Sequence, residues 1–141
     1  MPPFFFGDSA APLYGVHEPP VASGRADMPG VVLCQSLCHQ YMRMHWAFCR
    51  LATALSRRGM HVLRFDYHGC GDSAGATESG SLARWERDIE TAARELRDIG
   101  GCERVSLVGY EVGAALAARA SQRIGNVADL VLWHPVTDGR A

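Results

Sequence analysis

The stretch Leu107–Ala117 (LVGYEVGAALA) decides the fold of this chain. Its first residues close an apolar run that predicts a strand, and its last residues open an alanine-rich segment that predicts a helix lying close against a sheet. Gly109 and Gly113 have the spacing of the G-x-S-x-G turn, which presents a nucleophile at a sharp bend between strand and helix. Glu111 stands where that pattern has a serine.

The two glycines have a physical purpose in such a turn. Because they lack Cβ atoms, Gly109 and Gly113 allow the backbone to come close to its neighbours, so that residue 111 is held in a strained conformation above the sheet edge. The following amide, that of Val112, then points to a place where an oxyanion could sit. We therefore expect a site at this turn.

The rest of the chain alternates short apolar runs with helical patterns from residue 30 onward. This alternation predicts an α/β fold, in which a mostly parallel sheet has helices on both faces. Residues before 30 predict an N-terminal antiparallel hairpin, followed by the polar loop 22–30. The predicted strands are Gly30–Cys34, His61–Tyr67, Arg104–Gly109 and Asp129–Pro135, and the predicted helices cover 46–57, about 81–99 with Ser81 as N-cap, and 112–123.

The composition limits the classes of function. The chain has 141 residues, of which 48% are apolar and 21% charged, as expected for one packed domain. A formal net charge of −1 gives no long-range attraction for polyanions, so we expect neither nucleic acid nor a membrane surface as a partner. All 14 cations are arginines, which excludes a lysine base or Schiff base, and no motif indicates a cofactor.

The cysteines point to a reducing compartment. Their number, five, is odd and they are scattered, which favours free thiols in a cytoplasmic protein, and the start of the chain lacks the features of a secretory signal. Cys34, Cys38 and His39 could be interpreted as zinc ligands. No second pair of ligands stands at metal-binding spacing, so we favour buried or half-buried thiols and no metal.

Four stretches together carry a family resemblance. The chain resembles the N-terminal half of an α/β hydrolase, close to the serine-aminopeptidase-like and exosortase-associated hydrolases. The resemblance implies one incomplete α/β-hydrolase-like domain over residues 1–141, acting on a small acyl substrate of the ester, thioester or amide class. The stretches are PLYGVHEPP (12–20), HVLRFDYHGCGDSAG (61–75), LVGYEVGAALA (107–117) and LVLWHPVTDGRA (130–141).

The loop 66–75 (DYHGCGDSAG) is the most specific of these matches, since it is similar to the family's D-x-R-G-x-G-x-S loop. Its Gly-Asp-Ser also imitates the nucleophile motif of a different hydrolase class. That class places the motif early, after its first strand, so Ser73 is the less favoured nucleophile. We expect instead that Asp72 and Ser73 hydrogen-bond the backbone of a tight loop.

Several departures from the family pattern weaken the case for hydrolysis. Glu111, near a helix N-terminus, should be ionised and a poor attacker of ester carbonyls. Aspartate opens epoxides in related α/β hydrolases, but glutamate is one bond longer, and a misplacement of about 1 Å costs on the order of a hundredfold in rate. The loop expected to supply the second oxyanion amide, residues 35–39, contains no glycine, although the amide of Leu37 could serve.

A complete triad cannot be assembled from the predicted elements. The fold places the acid and the histidine after the nucleophile, yet only 28 residues follow Gly113, and His134 is their only histidine. His134 should end the strand next to the one that carries Glu111. The two residues could act together as a general base in the crevice or, as we prefer, form a structural ion pair. His39, His45 and His68 are most simply loop or surface residues.

Two functional hypotheses follow. The first is a hydrolase-family protein, weak or inactive alone. The second is a non-catalytic relative that binds a ligand or partner in the same crevice. In either case, a sheet that ends after residues 131–135 exposes an apolar strand edge, so we expect association with another chain.

Overall fold

The computed structural model describes residues 2–21, 27–37 and 39–138, and for residues 39–41 the backbone alone. Most of the predicted loop 22–30 lies outside the described residues. The strands are β1 (Phe4–Phe6), β2 (Leu13–Glu18), β3 (Gly30–Cys34), β4 (Val62–Phe65), β5 (Val105–Tyr110) and β6 (Val127–Trp133). The α-helices are α1 (His39–Arg57), α2 (Leu82–Gly100) and α3 (Val112–Ser121), and a short 3-10 helix covers Thr77–Ser79.

The strands form one sheet in the order β1-β2-β4-β3-β5-β6. Strands β1, β2 and β4 pair antiparallel, whereas β4, β3, β5 and β6 pair parallel. The N-terminal hairpin and the mostly parallel sheet were both predicted, and both are confirmed. Strand β3 lies in the middle, and every one of its residues is buried, as a continuous apolar run in a parallel sheet requires.

Helices cover both faces of this sheet, which confirms the predicted α/β class. Val31 and Leu33 belong to a core cluster with Phe48 and Ala52 of α1. Val32 and Cys34 belong to the larger core on the opposite face, beneath α2 and α3. The period-2 alternation of side chains along β3 therefore separates the two cores.

The ends of the elements differ from the predicted ones by a few residues. Ser81 is the N-cap of α2 and accepts a hydrogen bond from the Arg84 amide at 3.1 Å. The predicted strand His61–Tyr67 is shorter, because the chain leaves the sheet at Asp66. Tyr67 is nevertheless buried, and its hydroxyl donates to the carbonyl of Gln35 at 2.8 Å.

Strand β6 forms an exposed edge in the described part of the chain. It pairs with β5 on one side. Its last four side chains, Leu130 to Trp133, are 37–49% exposed although all are apolar. None of the described helices is long and apolar enough to cross a membrane.

Candidate functional site

The turn between β5 and α3 has the sharp geometry that its glycines predict. Glu111, the N-cap of α3, has φ 52° and ψ −115°, a conformation that L residues rarely adopt. A Cβ on Gly109 would lie 2.5 Å from the Cα of Ala114, and a Cβ on Gly113 would lie 2.2 Å from the carbonyl oxygen of Cys34. Since no side chain fits at either position, the backbone itself fixes where Glu111 stands.

The backbone amides of Leu37 and Val112, which were predicted to form an oxyanion site, lie at the same edge of the sheet. The close approach of Gly113 to Cys34 and Gln35 brings the start of α3 against the loop that follows β3. Leu37 and Val112 are both partly buried and pack against the same core cluster. The bond from Tyr67 to the Gln35 carbonyl anchors this loop from the opposite side.

The structure also brings Glu111 and His134 together. His134 directly follows β6 with φ 50°, and its Nδ1 lies 3.5 Å from Oε1 of Glu111. The side chain of Glu111 is 18% exposed, whereas that of His134 is 77% exposed. Water therefore competes for the imidazole, and an ion pair of this kind contributes little to stability.

Tyr110 is a member of this site that the sequence analysis missed. Partial burial raises the pKa of its hydroxyl, and the charge of Glu111, together with a side-chain hydrogen bond to it, raises that pKa further. Its ring packs edge-on against Trp133, with centroids 5.1 Å apart. The register of β5 and β6 places Tyr110 opposite Trp133. Local sequence does not determine this register, so the contact between the two rings could not be predicted.

In the loop after β4, Ser73 hydrogen-bonds the backbone as predicted, and the carboxylate of Asp66 also bonds to the loop backbone. The Ser73 hydroxyl donates to the carbonyl of Asp66 and accepts from the Tyr14 amide at 2.8 Å. The expected bond from the Asp72 carboxylate stays a prediction, and Asp66 Oδ2 accepts from the Asp72 amide at 3.0 Å. Gly71 lies so close to the buried Asp66 that a Cβ there would be 2.2 Å from the same oxygen.

Among the described residues, no group of three or more possible metal ligands is found. Cys34 is buried, and burial raises the pKa of its thiol. Cys38 and the side chain of His39 lie outside the described residues. His68 contacts Ser79 Oγ at 3.0 Å within its loop, whereas His45 lies in α1, with Nε2 3.6 Å from the sulfur of Cys49.

An apolar cavity of about 270 Å³ opens beside the loop after β3. Its position, outside the carboxyl ends of β3 and β4, is where open α/β sheets bind ligands. Parts of three segments line it: the loop after β3, the start of α1 and the loop after β4. Its lining includes Leu37, Met42, Tyr67, Cys70 and Thr77.

The crossover topology and the sharp turn after β5 together define the class, which is that of the α/β hydrolases. Within this class, residues 31–141 match the family described as serine aminopeptidase, S33. The chain therefore belongs to that family, and the resemblance noted from the sequence is confirmed.

Solved structures share the fold at low sequence identity. Est1E from Butyrivibrio proteoclasticus, solved with ferulic acid, has a TM-score of 0.70 and 18% identity, over 86% of this chain and 49% of its own. XC6422 from Xanthomonas campestris, described as an α/β serine hydrolase without lid, has a TM-score of 0.73 and 22% identity, over 89% and 57%.

A further similar structure is DcsB in complex with a substrate analogue. Its TM-score is 0.78 at 16% identity, over 96% of this chain and 45% of its own. The chain thus spans about half the length of these proteins. At such identities the likeness establishes the fold alone. No curated protein is significantly similar to this chain in sequence.

Proposed function

We propose that this chain binds a small acyl compound, of the ester, thioester or amide class, and that by itself it hydrolyses such a compound weakly or not at all. The observation that carries this proposal is Glu111, which occupies the turn residue of a hydrolase fold with His134 Nδ1 at 3.5 Å from its carboxylate. The positive φ of Glu111 and the close approaches of Gly109 and Gly113 are those that a nucleophile elbow would require, while a carboxylate stands in place of the serine.

The chemistry of a carboxylate supports the proposal of weak or absent hydrolysis. Attack of Glu111 on an ester would produce an anhydride, and no described residue completes a Ser-His-Asp arrangement at this turn. His134 is directed at the carboxylate, and its exposure of 77% leaves it solvated rather than held for proton transfer. Opening of an epoxide and displacement of a halide are nucleophilic reactions that the carboxylate of Glu111 could carry out.

Binding of an acyl group is supported by the cavity next to Leu37. Its apolar lining fits a hydrocarbon or aromatic acyl chain, and its volume of about 270 Å³ is near the lower end of ligand sites. The amides of Leu37 and Val112 would hold the carbonyl oxygen. The ferulic acid bound to Est1E is an aromatic acid of this kind.

An alternative is a non-catalytic relative that acts through a partner. Exposed apolar side chains on both faces of β6 favour it, because a strand of this composition is usually covered on both faces. The partner would add a strand beside β6 and pack helices against it. The described cysteines, all free thiols, agree with a cytoplasmic location.

The test compares the wild type with Glu111→Ser and Glu111→Gln, using p-nitrophenyl esters, a small epoxide and the binding of ferulate by saturation-transfer NMR. We expect ferulate to bind all three proteins and the wild type to show no turnover above buffer. Turnover by the wild type that disappears in Glu111→Gln would contradict the inactive assignment. Absence of ferulate binding would contradict the acyl site.

A cavity-filling variant locates the bound acyl group. Cys70→Phe places a ring in the cavity and should abolish ferulate binding, whereas Cys49→Ser, in α1 but outside the cavity lining, should not. If both variants bind ferulate like the wild type, the acyl site lies elsewhere.

A further inference from the structure

Helix α1 has a charge pattern that the proposed function does not use. It contains none of the 15 acidic residues of the chain, although the chain as a whole carries a net charge of −1. Its three arginines, Arg43, Arg50 and Arg57, are spaced seven residues apart. At 1.5 Å rise per residue they stand about 10.5 Å from one another along one face.

This face is exposed and is distinct from the face that packs on the sheet. Phe48, Ala52 and Ser56 mark the buried face of α1. On the outer face, Trp46 is 73% exposed. We define the outer stripe as the three arginines together with Trp46 and Thr53. Beside Trp46 runs a shallow groove of about 480 Å³ that Arg50 and Arg57 also line.

Two of the three arginines of the outer stripe have no carboxylate partner among the described residues, and the only described carboxylate bonded to the stripe is that of Glu18, which accepts from Thr53 Oγ1 at 3.5 Å. Arg43 acts electrostatically on Tyr110, but neither Arg50 nor Arg57 has an ion pair among the described residues. By contrast, Arg119 and Arg123 reach from α3 and beyond it to the buried Glu86 of α2. The positive charge of Arg50 and Arg57 is thus available to a partner.

We propose that the outer stripe is a docking surface for an acidic amphipathic helix of a partner protein. A second helix with a carboxylate every seven residues would match the three arginines in register, as charged pairs do along helix–helix interfaces. The planar guanidinium fork binds carboxylates bidentately. Trp46, between Arg43 and Arg50, supplies the large apolar anchor that dominates interface energetics.

The regular spacing favours a helix over a bilayer. An anionic membrane attracts basic residues wherever they lie on an exposed face, at about 1 kcal/mol each. This attraction does not depend on the spacing of the residues along the helix. Three arginines alone would bind a bilayer weakly. A seven-residue period instead matches a helical partner whose carboxylates have the same period.

The experiment measures fluorescence anisotropy of a labelled helical 21-residue peptide with glutamate at every seventh position, titrated with the 141-residue chain. The matched peptide carries glutamine at those positions. We expect the glutamate peptide alone to bind, more weakly as salt increases. The double variant Arg50→Glu, Arg57→Glu should weaken binding about tenfold or more, and Trp46→Ala should also weaken it.

The control variant Arg87→Glu, Arg94→Glu makes the same change in net charge on exposed positions of α2 and should bind like the wild type. Circular dichroism and thermal unfolding of each variant report whether the fold is retained, and Arg50→Gln, Arg57→Gln replaces any variant that fails. The proposal is overturned if the two peptides bind equally, if the α2 control weakens binding as much, or if the chain binds phosphatidylserine vesicles but not the glutamate peptide.

Discussion

The imidazole of His134 meets the carboxylate of Glu111 because the backbone holds the two residues together. The Glu111 amide donates to the carbonyl of Trp133 at 3.0 Å, and the Val136 amide donates to the carbonyl of Glu111 at 3.4 Å. Both Glu111 and His134 have positive φ, 52° and 50°. Since the imidazole is largely exposed, these backbone contacts, rather than the ion pair, maintain the arrangement.

Replacement of Glu111 by glycine should stabilise the fold. A non-glycine residue at φ 52° and ψ −115° costs about 1–3 kcal/mol, and glycine removes this strain at the expense of a more flexible unfolded chain. We expect Glu111→Gly to raise the free energy of unfolding in urea by about 1 kcal/mol. Glu111→Gln keeps the strain and should leave it nearly unchanged. A lower stability of Glu111→Gly would mean that the carboxylate contacts outweigh the strain.

Replacement of Gly113 by alanine should strongly destabilise the fold. The new Cβ would lie 2.2 Å and 2.4 Å from the carbonyl oxygens of Cys34 and Gln35, which are backbone atoms and cannot move aside. We expect a loss of about 3 kcal/mol or more in urea unfolding. Gly125→Ala is the matched control, because nothing lies within 4 Å of its Cβ position. Equal stability of the two variants would contradict the described contact of α3 with the loop after β3.

A histidine pair should make stability depend on pH. His17 Nε2 lies 3.0 Å from His61 Nδ1, with the rings parallel within 5°. Burial lowers the pKa of His17, as does the charge of His61, and burial also lowers the pKa of His61. Because the unfolded chain then binds more protons, this contribution is present above pH 6.5 and is lost as the pH falls through the lowered values.

Urea unfolding at pH 7.5 and pH 5.0 tests this dependence. The loss of stability between the two values should be smaller in His17→Gln than in the wild type. Ala83→Gln, which changes an exposed position of α2 and adds no titratable group, should keep the wild-type difference. An unchanged pH dependence in His17→Gln would show that other groups cause it.

Local pattern was sufficient to predict most of the fold. The apolar run of β3, the Ser81 cap and the two glycines around Glu111 each follow from short-range rules, and each appears where expected. The predicted end of β4 was wrong, because Asp66 and Tyr67 continue a strand-like sequence pattern although the strand ends at Phe65. Their side chains instead bond to the Asp72 amide and to the Gln35 carbonyl.

The site was predictable in its parts but not as a whole. The pairing of Glu111 with His134 followed from the expected strand order. The apolar cavity beside Leu37 could not be predicted, because it forms where three segments distant in sequence meet. Tyr110 was missed for a similar reason, since its packing on Trp133 depends on the register between β5 and β6.

The exposed edge of β6 should make the chain associate. Val131 and Leu132 are 49% and 41% exposed and point to opposite faces of the strand, so both faces offer apolar area beside unpaired backbone groups. Size-exclusion chromatography with light scattering should give a mass above the 15.3 kDa of one chain. The double variant Val131→Lys, Leu132→Lys should elute as a monomer, since charges protect an edge strand. Val21→Lys, at a site 75% exposed far from this edge in sequence, should associate like the wild type. A wild-type chain that stays monomeric at high concentration would contradict the role of this edge in association.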